Sequence, residues 1–180
     1  MRWPTYFILA YLAVGLQIGL APFVAYHGAK PNLVLLAVIF IAINAPRNAA
    51  LLGCFFLGFA QDLITQQQPG LYAFSYGLVA LFVVSTQQVV YKGHPLTHFT
   101  LAMVAGVMTT AVLLVHGLVH PATPRVKSGE LILPAIRLSP TLLLEGVLYT
   151  AVLAPFVLMV LQRGRKLFGF QTVRRNRGMR

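Results

Sequence analysis

Negative charge is almost missing from this chain. Asp62, Glu130 and Glu145 are the three acidic residues among 180. Charged residues of both signs make up 9%, against about 25% in a typical soluble domain. So little charge excludes an ordinary water-soluble fold. Cysteine is nearly missing as well: the single Cys54 rules out an intrachain disulfide and a thiolate zinc cluster. Its position in an apolar run reads as a small buried packing residue. The sequence has no Gly-rich phosphate loop, Walker sequence or serine-hydrolase elbow. Any use of ATP would therefore fall to another chain.

What is present is apolar. Hydrophobic residues make up 58% of the chain and the mean hydropathy is +0.77. A chain of this length cannot bury so much apolar surface in a soluble core, so its solvent is lipid. The expectation is an all-α integral membrane protein: one transmembrane helical domain over 1–162, then a basic tail over 163–180. The net charge of +11 reflects that tail, which carries Arg163, Arg165, Lys166, Arg174, Arg175, Arg177 and Arg180. A basic end directly after an apolar segment marks the cytoplasmic side of a membrane and contact with anionic lipid or a cytoplasmic partner. A nucleic-acid partner is not expected.

A lipid-spanning helix needs about 20 apolar residues, with a range of about 17–25. Tyr6–Tyr26, Leu71–Tyr91, Phe99–Val119 and Thr141–Leu161 each fit. Asn32–Ile64 is too long for one helix and is interrupted at Pro46-Arg47-Asn48. Its two parts, 32–45 and 49–64, are about 14 and 16 residues, short by the same standard. They read either as two short spans or as a re-entrant hairpin, giving a six-segment bundle. The first segment does not read as a cleaved signal peptide, because its apolar run is too long and no small-x-small site follows it. With six segments, one side carries Arg2, Arg47, Lys92 and the tail cations, and the other carries Lys30, Arg125, Lys127 and Arg137. The richer side is cytoplasmic, with both termini on it, and the Pro-rich loop His120–Pro140 is external.

Asp62 stands out because an ionisable group within a membrane segment costs about 2.5–3.5 kcal/mol at mid-bilayer on insertion scales. It follows Ala49 by thirteen residues, placing it about 20 Å along its helix, near the outer side. Gly58, one turn earlier, shares its face and permits close approach of another helix. Asp62 then reads as a polar anchor at a helix or partner contact; the plainer reading is an interfacial acid reaching water. Glu145 lies at a similar depth, early in the last segment. Paired carboxylates can perform acid–base work when held together, but nothing in the sequence joins these two, and catalysis is not expected. Pro69 and Gly70 close a tight turn after Gln66-Gln67-Gln68. Tyr72 and Tyr76 follow on one face, as an aromatic belt or the lining of a ligand pocket. Gly15-x-x-x-Gly19 is a close-packing pattern in the first helix. His94-x-x-x-His98 and His116-x-x-x-His120 have metal-ligand spacing without a carboxylate or cysteine nearby, so no metal or other cofactor is expected.

Three stretches together carry a family resemblance: Lys30-Pro31-Asn32-Leu33, Gly58-Phe59-Ala60-Gln61-Asp62-Leu63, and Pro69-Gly70-Leu71-Tyr72. Their order resembles the MreD family, which has a Pro-Asp/Asn start to its second span, a Gly-x-x-x-Asp ending its third, and a Gly-Leu entry to its fourth. Ala154-Pro155 before a basic tail is also similar, whereas the glutamine turn and the long external loop depart from the pattern. The resemblance implies a non-enzymatic scaffold of the bacterial rod complex in the cytoplasmic membrane. It would work with an MreC-like bitopic protein, and with RodA, penicillin-binding protein 2 and MreB, in lateral peptidoglycan synthesis and cell shape. It also implies a bundle similar to transporter S-components. The alternative function is accordingly a vitamin-transporter subunit, with Gln61, Asp62, Tyr72 and Tyr76 lining an outer pocket.

Overall fold

The computed structural model describes residues 3–20, 22–25, 29–65, 69–86, 95–119, 125–127, 130–132 and 140–164. Six helices follow in chain order: α1 (Trp3–Gly19), α2 (Leu33–Asn44), α3 (Arg47–Thr65), α4 (Leu71–Thr86), α5 (Pro95–Val119) and α6 (Pro140–Arg163). Between α5 and α6, β1 (Arg125–Lys127) pairs antiparallel with β2 (Glu130–Ile132), a short hairpin not expected from the sequence. Of the helices, α3, α5 and α6 are long and apolar enough to cross a membrane.

The bundle is organised around α2, which touches each of the other five helices. Every residue from Val34 to Ile43 is buried. A helix apolar on all sides suits either a protein core or lipid, and the run Leu-Val-Leu-Leu-Ala-Val-Ile-Phe-Ile-Ala-Ile lies in the core, against the other five helices. Its start is fixed by Asn32, whose side-chain oxygen accepts the Leu35 N–H, the usual work of an N-cap. Its end is fixed by Pro46: Ala45 is extended, as a residue before proline prefers. Ala50 N–H then bonds the Pro46 carbonyl at 2.8 Å and α3 begins.

The break at Pro46 falls where expected, but it divides the segment unequally. At 12 residues, α2 is about 18 Å long, too short to span alone. At 19 residues, α3 is not short. Elsewhere the boundaries shift. α1 stops at Gly19 rather than Tyr26, and beyond it Phe23 N–H and Val24 N–H both bond the Leu20 carbonyl. α5 starts a turn before Phe99, at Pro95, a residue suited to a first helical turn because its missing N–H would have had no partner there.

The two most extensive helix contacts are α3 with α4 and α5 with α6. Each contains a glycine at a point of close approach. A Cβ on Gly58 would lie 2.5 Å from the Tyr72 carbonyl oxygen and 2.6 Å from Ala73 Cα. A Cβ on Gly106 would lie 2.7 Å from Val147 Cγ1. The close packing expected at Gly15 and Gly19 does not occur among the described residues. Both face outward, and a Cβ on either would meet nothing within 4 Å, because α1 packs through Tyr6, Leu9 and Ala13 instead.

Candidate functional site

Polar side chains gather at the starts of α2 and α4. At α4 the N-cap position is Gly70, with φ +101°, a backbone conformation that costs glycine little. Glycine has no side chain with which to cap its own helix. Asp62 of α3 supplies the missing acceptors. Its Oδ1 accepts the Tyr72 N–H at 2.8 Å, and its Oδ2 accepts the Gly70 N–H at 2.9 Å and the Ala73 N–H at 3.1 Å. In a capping box the N-cap side chain satisfies one early N–H while a second residue reaches back to the N-cap N–H. Here one carboxylate from the neighbouring helix does both, facing the positive end of the α4 dipole. Gly58, one turn below, lets the α4 backbone come close enough for those bonds to form. Asp62 is 2% exposed, so its carboxylate is committed inside the chain rather than presented at the surface.

At α2 the arrangement draws on four helices. Asn32 Oδ1 accepts the Leu35 N–H at 2.9 Å, and Asn32 Nδ2 donates to the Tyr76 hydroxyl at 2.9 Å. The Asn32 backbone N–H donates to Thr150 Oγ1 of α6 at 2.9 Å. Gln17 of α1 accepts the Leu33 N–H on Oε1 at 2.6 Å and donates from Nε2 to the Pro31 carbonyl at 3.2 Å. Tyr76 also stacks edge-on against Tyr72, with ring centroids 5.6 Å apart. Through those two rings of α4, the Asn32 cluster and the Asp62 cap form one continuous polar layer. Gln61 and Ser75, both buried, add side-chain oxygens that have no hydrogen-bond partner among the described residues.

Gly58, Asp62, Gly70, Tyr72 and Tyr76 thus come together at the α3–α4 end of this layer. Pro69, in the turn before Gly70, is exposed. Glu145 does not join them. It is exposed on α6, a helix that makes no contact with α3 among the described residues. Arg163 is exposed at the end of α6, while Arg165, Lys166, Arg174, Arg175 and Arg177 lie outside the described residues. So do Gln66–Gln68, His94 and His120. His98 is buried against Gln162, with its Nε2 3.2 Å from Gln162 Nε2. Among the described residues there is no group of three or more His, Cys, Asp or Glu that could hold a metal. Cys54 is fully buried and its thiol points at the Val38 carbonyl at 3.5 Å.

Sequence reasoning missed Asn32, Gln17 and Thr150 as parts of the layer. Asn32 carried a readable signal, an Asn placed directly before an apolar run. Gln17 and Thr150 carried none, since their partners are distant in sequence. Tyr6 was missed for the same reason: its hydroxyl donates to the Gly53 carbonyl at 2.6 Å and ties α1 to α3.

The family model described as rod shape-determining protein MreD matches residues 1–163. No curated protein and no solved structure matches the chain; likeness to transporter S-components is therefore not shown. The chain belongs to the MreD family, one of shape-determining membrane proteins and not a known family of enzymes.

Proposed function

We propose that this MreD family member is a non-enzymatic scaffold of the rod complex, held in the bacterial cytoplasmic membrane with both termini inside. In this reading 1–162 is one transmembrane domain, and the basic tail over 163–180 lies against anionic lipid. An MreC-like bitopic protein is its direct partner, and RodA, penicillin-binding protein 2 and MreB belong to the wider assembly that builds the lateral wall. The observation that carries the reading is the use made of Asp62. A membrane carboxylate is by default a functional-site candidate, and here all three of its bonds go to the start of α4. It fixes the shape of the bundle, which is what a scaffold requires, and that shape is the surface offered to partners.

Recovery of the tagged protein from native membranes in mild detergent tests this. Co-purification of an MreC-like protein is expected, with loss of that protein from an Asp62→Leu variant whose bundle is loosened. Recovery of ATPase subunits, or of a retained small molecule, would overturn the scaffold reading in favour of a transporter.

A further inference from the structure

Two side chains in the polar layer hold their oxygens where nothing receives them. Gln61 Oε1 and Ser75 Oγ have no hydrogen-bond partner among the described residues, and the two residues are 3% and 1% exposed. They bracket the Asp62 cap. Gln61 directly precedes Asp62, and Ser75 is two residues past Ala73, the last residue that the carboxylate bonds. A buried polar oxygen left unmet is uncommon in a folded chain and calls for an account. A third unmet atom, His98 Nδ1, stands apart at the start of α5.

Neither oxygen is unmet for want of an alternative. Thr65, Ser85, Thr86, Thr109 and Thr150 each turn the hydroxyl back onto the carbonyl four residues earlier. Ser75 does not use the Leu71 carbonyl in this way. Glutamine is mostly exposed in folded proteins, and Gln61 is only four residues from the end of α3. It is turned inward all the same. Cys54, whose thiol faces the Val38 carbonyl of α2, lies two turns before it on the same side of α3.

Unmet groups raise the energy of the closed layer but not of an open one, where water meets them. The turn that joins α3 to α4, Gln66-Gln67-Gln68-Pro69-Gly70, is polar, so this end of the pair adjoins water rather than lipid tails. Each unmet oxygen then favours opening by about a factor of ten. Proteins open locally at less cost than they unfold. We propose that the start of α4 is a latched flap, closed by the Asp62 carboxylate and kept easy to open by the unmet oxygens of Gln61 and Ser75, and that shaping the cell needs both its closed and its open form. Opening frees the Gly70, Tyr72 and Ala73 N–H groups while the rest of the bundle stays folded. The need for opening rests on the scaffold reading; the motion itself does not.

Hydrogen–deuterium exchange of the full chain in detergent micelles, read on peptides over 70–76 and 147–154, tests the motion. In wild type, 70–76 is expected to exchange faster than 147–154. Gln61→Met removes one unmet oxygen at similar volume, and Ser75→Ala removes the other. Each should slow exchange over 70–76 about tenfold and leave 147–154 unchanged, whereas Asp62→Asn, which weakens the latch, should speed it. Slower exchange in either variant, with Cys54 still shielded from a thiol reagent, supports the flap. Wild-type exchange over 70–76 as slow as over 147–154 overturns it. So does exchange at the wild-type rate or faster in both Gln61→Met and Ser75→Ala, or unfolding of both, which would show that the two oxygens serve the closed form. In cells lacking the protein, the Gln61→Met, Ser75→Ala double variant should accumulate normally, retain an MreC-like partner and fail to restore rods. Normal rods from it would overturn the need for opening. Loss of the scaffold reading would show separately, as a wild type that recovers no such partner.

Discussion

The α3–α4 and α5–α6 pairs solve the same problem, close approach of two helices in one bundle, by different means. Both place a glycine at the tightest point. Behind Gly58 stands backbone, the Tyr72 carbonyl oxygen and Ala73 Cα; behind Gly106 stands a side chain, that of Val147. The α3–α4 approach also carries a carboxylate that uses the gained proximity to cap the facing helix. Ala102, one turn before Gly106 on α5, and Ala151, one turn after Val147 on α6, are small and fully buried. One contact is fixed by directional bonds to a backbone that cannot be repacked, the other by fitted apolar shapes that can. The first should be brittle under substitution and the second adjustable.

Asp62→Leu should produce the largest effect. It leaves three N–H groups at the start of α4 without an acceptor, and each buried unsatisfied group costs about 1–3 kcal/mol. A loss of about 3–5 kcal/mol is expected, since the helix end retains some access to water. Asp62→Asn keeps one acceptor oxygen and should fall between wild type and Asp62→Leu. Cys54 supplies the measurement: it is the single cysteine and is fully buried, so its reaction with a thiol dye during heating in detergent reports unfolding directly. If Asp62→Leu and Asp62→Asn unfold at the same temperature as wild type, the cap does not hold α4 and the comparison fails.

Gly58→Ala comes next, at about 2–3 kcal/mol, the upper part of the range for overpacking. The added methyl meets backbone, so relief requires α4 to move away, and that movement stretches the same bonds Asp62 makes. The two substitutions should therefore be less than additive, as expected for residues that share a partner. Full additivity in the double variant would separate the close approach from the cap.

Much of this brittle contact is readable in the sequence, and the reason is spacing. Gly58 and Asp62 are one turn apart, and Gly70 and Tyr72 lie just across a short turn, so local arithmetic brings them together. The helices were legible for a similar reason: long apolar runs broken by Pro46 and by polar turns leave few choices. What could not be read depends on packing between distant segments. The inequality of α2 and α3 follows from α2 being enclosed by five helices, which removes the need for it to reach either membrane face. The Asn32–Thr150 and Gln17–Leu33 bonds join segments that no periodicity connects. The outward turn of Gly15 and Gly19 was hidden too, because a small-residue pattern shows that a helix can approach something without showing what.

The adjustable contact yields the next prediction. Gly106→Ala brings a methyl against Val147 Cγ1 at 2.7 Å, and because a side chain is the obstacle, a rotamer change or slight helix shift relieves it. About 1 kcal/mol is expected, at the low end for overpacking. Val147→Ala alone removes buried methyl groups and should also cost about 1 kcal/mol. Combined with Gly106→Ala, it removes the clash and refills the space, so the double variant should be at least as stable as either single one. No such rescue exists for Gly58, because Tyr72 and Ala73 present backbone atoms that no substitution deletes. If Val147→Ala fails to rescue Gly106→Ala, the α5–α6 contact is as rigid as its counterpart.

The smallest effect belongs to Gly15→Ala, and its smallness carries the information. The position faces outward with nothing within 4 Å of an added Cβ, and alanine favours a helix interior over glycine by about 1 kcal/mol. Thiol exposure of Cys54 should therefore occur in detergent at the wild-type temperature or slightly above it. An unchanged or slightly raised unfolding temperature would separate the surface of α1 from both interior contacts. A destabilised variant would instead place Gly15 in the same class as Gly58, packed against structure inside the chain.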